Sequence, residues 1–141
     1  MTPPAHSPAG ISHYSSPLSA DQTVERLTPV VRDRGLTLFA HFDHAAAAAG
    51  VGLTMPAAHV LVFGNPRAGT PLMLASPLIA LDLPLKVLVW QDASGRVLVS
   101  HVQPDWMVQR YSLPLELAGV LSVVEGIVHA ALAGDDPRQV A

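Results

Sequence analysis

Three groups of residues in this 141-residue chain have types and spacings that could do chemistry. The first is the loop Gly64-Asn65-Pro66-Arg67-Ala68-Gly69-Thr70. Its glycines are spaced as in a phosphate-binding P-loop, which aims backbone N–H groups and a lysine at phosphates. Thr70 stands where that lysine would be, and Pro66 and Pro71 each remove a donor. A turn that re-aims the chain is the plainer reading. A weak anion site at a helix start on Thr70, helped by Arg67, is the sharper one. The second group is His41, Asp43 and His44. On a strand, His41 and Asp43 project to one face while His44 turns away. With His59 and His101 from other strands, a nitrogen/oxygen metal site is conceivable. The plainer reading makes Asp43 a helix cap and the histidines ordinary polar residues, with His44 the first to test. The third group is Asp82 and Lys86, set in the apolar run LDLPLKVLVW. They suit a structural ion pair or a polar spot in a pocket, where a partly buried lysine can become a base.

Other signatures are missing. No Gly-x-Ser-x-Gly elbow supports a hydrolase serine. No paired carboxylates stand out for acid–base work. Glu125 and His129 have only the spacing of a helix-surface pair. Trp90 and Trp106 are simplest as core or interface anchors. Met55, Met73 and Met107 could soften an apolar cavity or fill a core.

The elements that must position these groups follow from local patterns. Ile11–Ser16 reads as a short strand. Ser19 and Gln22 form a capping box, opening a helix that runs to about Arg34 and stops at Gly35. Pro29 should bend or split that helix. Leu36–Phe42 reads as a strand with Leu36, Leu38, Ala40 and Phe42 on one face. Asp43 caps a short alanine helix, His44–Ala49, which Gly50 ends. Ala58–Phe63 is a near-continuous apolar strand, as expected of a central one. Thr70-Pro71 and Ser76-Pro77 each resemble a cap followed by proline at the first helical position, giving short helices at about 71–75 and 77–81. Leu85–Gln91 and Arg96–Val102 form a hairpin around Asp92–Gly95. Pro104–Tyr111 reads as a short helix. A last helix at about 114–133 is apolar around most of its girth, with a narrow stripe of Ser122, Glu125, Gly126 and His129. Such a helix needs cover on more than one side.

The order of elements favours α+β: an antiparallel or mixed sheet of about five strands with helices mainly on one face. Residues 11–133 form one domain between loose tails, 1–10 and 134–141. Half the residues are apolar, 13% are charged and none is cysteine. That excludes disorder, disulfide scaffolding and thiolate chemistry, and fits a cytoplasmic protein. The net charge of −3 and the scattering of eight Lys and Arg speak against nucleic acid as a partner. The apolar run Leu113–Leu132 contains Glu116 and Glu125, so a buried helix is expected rather than a membrane span.

Three segments carry a family resemblance: DHAAAAAGVGL (43–53), FGNPRAGTPLM (63–73) and LDLPLKVLVWQD (81–92). On these the chain resembles the family called domain of unknown function 302, over about residues 11–112. The resemblance implies a compact domain of the TATA-binding-protein-like α+β class and a homodimer, and it implies no activity.

The expectation is a homodimeric module binding a small apolar or amphiphilic molecule or a protein partner, with no cofactor identified. Its pocket should lie between the sheet and the 64–84 segment, near Asn65, Thr70 and Asp82. The candidate ligand-binding residues are His44, Asn65, Arg67, Thr70, Asp82 and Lys86. The alternatives are a metal- or haem-dependent enzyme or sensor built on His41, Asp43 and His44, and a structural interaction module without ligand.

Overall fold

The computed structural model describes residues 7–133. The expected tail 134–141 and the first part of the N-terminal tail lie outside the described residues. Five strands form one sheet: β1 (Ile11–Ser16), β2 (Thr37–Asp43), β3 (Ala58–Gly64), β4 (Leu85–Gln91) and β5 (Val97–Val102), in the order β1-β5-β4-β3-β2. Every pairing is antiparallel. The helices are α1 (Ala20–Asp33), α2 (His44–Ala49), α3 (Pro66–Ala75), α4 (Pro104–Tyr111) and α5 (Val123–Ala133), with 3₁₀ turns at Pro77–Leu81 and Leu115–Val120. The α+β class and the one-sided helices are as the sequence indicates.

The register builds the core. Tyr14, Val99, Val89, His59 and Asp43 are successive cross-strand partners, so they form one row across all five strands. Alternation puts Leu61, Phe63 and Val87 on the same face. There they pack with Val24, Leu27 and Val31 of α1 and Ile127 and Val128 of α5. A second cluster, Leu72, Ile79, Met107, Leu113 and Leu121, joins α3, α4 and the two 3₁₀ turns. The other sheet face carries Phe42, Val60, Leu88, Trp90 and Leu98 by the same register. None of these joins either helix-packed cluster.

Three local expectations are corrected. Of the two outcomes expected at Pro29, the split of α1 does not occur, because that residue is exposed and the unmade bond faces solvent while the buried stripe holds the helix down. Strand β2 does not alternate cleanly. A bulge at Phe39 shifts the register between Leu38 and Ala40, so Leu38 packs on the core while Ala40 and Phe42 face away from it. The single helix expected at 114–133 is broken around Leu121–Ser122. Leu115–Ala133 is apolar and long enough to cross a membrane by length and composition. In the fold its two parts serve different cores, Leu121 the second cluster and Val124 onward the first.

Candidate functional site

Asn65 and Pro66 decide the local geometry. The Asn65 side chain accepts from the Arg67 N–H at 3.0 Å, and its carbonyl accepts from Ala68 and Gly69, both at 2.9 Å. Pro66 follows at the first helical position, where its missing N–H costs nothing. Helix α3 therefore starts at Asn65, not at Thr70, and Thr70 lies inside it. The weak anion site expected at a Thr70 helix start is not formed, and the first N–H groups of α3 are occupied by Asn65. Pro71 is carried inside the helix, and the Arg67 carbonyl it leaves unpaired belongs to an exposed residue.

The inner side of α3 forms one wall of a cavity of about 400 Å³. Leu36 and Phe39 of the β2 end, the Leu83–Leu85 segment and Val120–Val123 close the other sides. The surface presented is almost wholly apolar, and no charged residue lines it. The Leu83–Pro84 peptide in this wall is cis. Gly64 is the pinch point: a Cβ there would sit 3.3 Å from Phe39 Cε2 and 3.5 Å from Pro84 Cβ. Gly69 also lines the cavity, yet a Cβ at that position would meet nothing within 4 Å.

Four of the sequence-derived site residues gather here. Asn65 and Thr70 line the cavity. Arg67 is exposed between the lining residues Pro66 and Ala68. The Lys86 ammonium donates to the carbonyl of Pro84, another lining residue, at 3.0 Å. Asp82 is not brought in. It accepts a hydrogen bond from the Tyr111 hydroxyl and sits 3.8 Å from Arg110 Nε. That bond from the phenol, with some burial, raises the Tyr111 pKa above its ordinary value. Asp82 thus ties the end of the first 3₁₀ turn to α4 and does not pair with Lys86. His44, the first residue of α2, is exposed and lies on a different part of the molecule.

The histidines divide into separate groups. His59 is buried and central: its Nδ1 lies 2.9 Å from His41 Nε2 and 3.9 Å from Asp43 Oδ2, and its Nε2 lies 3.3 Å from Asp21 Oδ1. Asp43 also caps α2, accepting from the Ala46 N–H at 2.9 Å. Among the described residues no group of three or more His, Asp or Glu is arranged to hold a metal ion. His101 is elsewhere, stacked on Tyr14 at 5.7 Å, with its buried Nε2 unpartnered. Sequence reasoning missed Asp21, which reaches His59 from the first turn of α1, and it missed the Val120–Val123 wall. Asp21 sits inside the SADQ capping box, which drew attention to Ser19 and Gln22 instead.

Comparison with known proteins agrees with this architecture. The crystal structure of an uncharacterized conserved DUF302 protein from Bacillus stearothermophilus superposes with a TM-score of 0.72, over 89% of this chain and 97% of that one, at 20% identity. Curated relatives include the protein named fluoride-specific ion channel FluC 1 of Brucella suis, 38% identical over 107 residues. Its counterpart of the same name in Brucella abortus has the same identity over the same length. The match takes in 76% of this chain but only 42% and 40% of those two relatives, so the chain spans well under half of their length. The family model for the domain of unknown function DUF302 matches residues 12–131, and the chain belongs to that family.

Proposed function

We propose that this protein is a homodimeric binding module whose cavity takes up a small apolar or amphiphilic molecule. One observation carries this reading: a cavity of about 400 Å³ with an almost wholly apolar surface, in which Asn65 and Thr70 are the polar side chains. Ligand sites are commonly of this size and character. The curated relatives fit a module, since the matched segment is less than half of each longer chain. The channel activity in their names is not proposed for this chain. The second copy is supported by the partly uncovered sheet face, where Phe42 is 54% exposed beside the half-buried Val60 and Leu88.

The test uses the freshly purified protein. Native mass spectrometry should show a retained small molecule, or a panel of apolar compounds should raise the melting temperature. Ligand at a hundred times its Kd would stabilise by about 2.7 kcal/mol. Gly69→Phe should fill the cavity and abolish either signal. Clean, ligand-free protein with no thermal response to the panel would remove the ligand and favour a structural interaction module.

A further inference from the structure

The lining of the cavity holds no ionisable side chain, and that limits what can be buried in it. Leu36, Leu72, Leu83, Leu85 and Leu121 make up much of the wall, with Asn65 and Thr70 as the polar side chains. The Arg67, Ala68 and Gly69 N–H groups at the start of α3 already bond to Asn65. An ion drawn into this space would lose its hydration and find no opposite charge. The ionised residues bordering the walls favour neither sign. Within three positions of a lining residue in the sequence stand Asp33, Asp82 and Glu125, and equally Arg34, Arg67 and Lys86. Asp82 is engaged by Tyr111 and Arg110, Arg34 donates to the Gly126 carbonyl at 3.4 Å, and Lys86 donates to that of Pro84.

Gly69 is a second, independent observation. It lies inside α3, where glycine weakens a helix relative to alanine. Its φ is not in the left-handed region, and a Cβ there would meet nothing within 4 Å. Neither a turn nor a close approach of neighbours demands glycine at this position. Gly69 stands three and four residues before Leu72 and Met73, the spacing of neighbours on one helix face, and all three line the cavity. The absent side chain therefore leaves room on the cavity side of α3.

Resting on the reading of the cavity as a ligand site, we infer that its ligand is an uncharged hydrophobe and that Gly69 sets how large it can be. The ligand carries at most a neutral hydrogen-bonding group, such as a hydroxyl or an ester, for Asn65 or Thr70 to meet. It packs against bare α3 backbone at Gly69, and any side chain there takes space from it. The same residue lowers the stability of α3 and enlarges the cavity.

The experiment compares straight-chain alcohols and methyl esters of increasing length with carboxylates and alkyltrimethylammonium ions of the same chain, by calorimetry on the full chain at neutral pH. Each methylene added to an uncharged compound should tighten binding about fourfold until the cavity is full. Both ions should bind at least about tenfold more weakly than the ester, whichever their sign. Gly69→Ala should weaken the best-fitting ester about fourfold, one methyl group displacing about one methylene, while raising the melting temperature of the ligand-free protein. Gly69→Leu should shorten the longest chain that still gains affinity. A changed melting temperature with every affinity unaltered would show that Gly69 does not set ligand size. An ion of either sign that binds as well as the ester, or better, would overturn the uncharged assignment and leave the cavity reading standing. Failure of every compound to bind would overturn the cavity reading and this inference with it.

Discussion

Asp92 shows how much a single side chain can organise. Its Oδ1 accepts from the Ser94 hydroxyl at 2.7 Å, the Ser94 N–H at 3.0 Å and the Arg96 N–H at 2.9 Å, and its Oδ2 lies 3.2 Å from Arg96 Nε. The Ser94 hydroxyl is the largest of the influences that hold its carboxyl below the ordinary range. The folded pKa lies below the unfolded one, so the stabilisation is present above about pH 4 and is lost as pH falls through the folded value. Denaturation midpoints should fall between pH 5 and pH 3 more steeply in the parent protein than in Asp92→Asn. Equal slopes would show that the turn does not titrate with folding. His13 responds in the same direction at higher pH. Burial first, then the charges of Arg96 and His101, lower its pKa from 6.5. Its neutral ring bridges Ser7 and Ser100, both at 2.7 Å, and Ser100 also accepts from the Trp90 indole at 2.9 Å. A folded pKa below the unfolded one means that this contribution is present above about pH 6.5 and fades as pH drops below it. A ring-proton NMR titration should place the His13 midpoint below 6.5, and a midpoint above it would contradict the partly buried, hydrogen-bonded geometry. Gly69 completes the residue scale. It sits inside α3 with open space at its Cβ position, so Gly69→Ala should stabilise by about 0.5–1 kcal/mol in urea denaturation.

At the scale of elements, local chemistry was legible wherever it was self-contained. Ser19 and Gln22 form the capping box that the sequence announces, with bonds of 3.1 and 3.2 Å. Ser19→Ala should cost about 1 kcal/mol, read as a lowered denaturation midpoint with unchanged slope. Asp43 caps α2 and the Asp92–Gly95 hairpin turns where expected, for the same reason. Helix α3 misled because two cap-plus-proline pairs, Asn65-Pro66 and Thr70-Pro71, compete within one segment. The upstream pair wins, since it lets Leu72 reach the second cluster and keeps the loss at Pro71 on an exposed carbonyl. The break in the last helix was illegible for a related reason. Its uniform apolar content does not say that Leu121 and Val124 belong to different cores. The cavity itself needs four segments far apart in sequence, around residues 36–39, 64–73, 83–85 and 120–123. Only the 64–85 part could be guessed from its neighbours. Asp82 was misplaced because nothing in its own run of sequence points to Tyr111, whose hydroxyl claims it.

For the whole molecule, the question is what covers the second sheet face. Helices α1 and α5 bury the centre of one face, with Leu61, Phe63, Val89 and Val99 at 0% exposure. On the other face Phe42, Val60, Leu88 and Trp90 remain partly or largely accessible, while Val62 and Leu98 are buried, so the open part is the side towards β2. Phe42 and Phe39 on β2 are joined by Val51, Leu53 and Met55 in the β2–β3 connection as exposed apolar residues. Isolated exposed hydrophobics are ordinary, whereas a contiguous set on one sheet face marks an interaction surface. A second copy presenting the same face is self-complementary by two-fold symmetry. A stable interface of this kind buries about 1,200–2,000 Å² in total. Phe42→Glu puts a carboxylate on this exposed edge without touching either core, so it tests assembly separately from folding. At micromolar concentration the parent protein should sediment at twice the 14.8 kDa chain mass, and Phe42→Glu at that mass alone, with an unchanged circular dichroism spectrum. Parent protein that sediments as a single chain would end the proposed dimer. It would leave the cavity reading untouched, because every residue that lines the cavity belongs to one protomer.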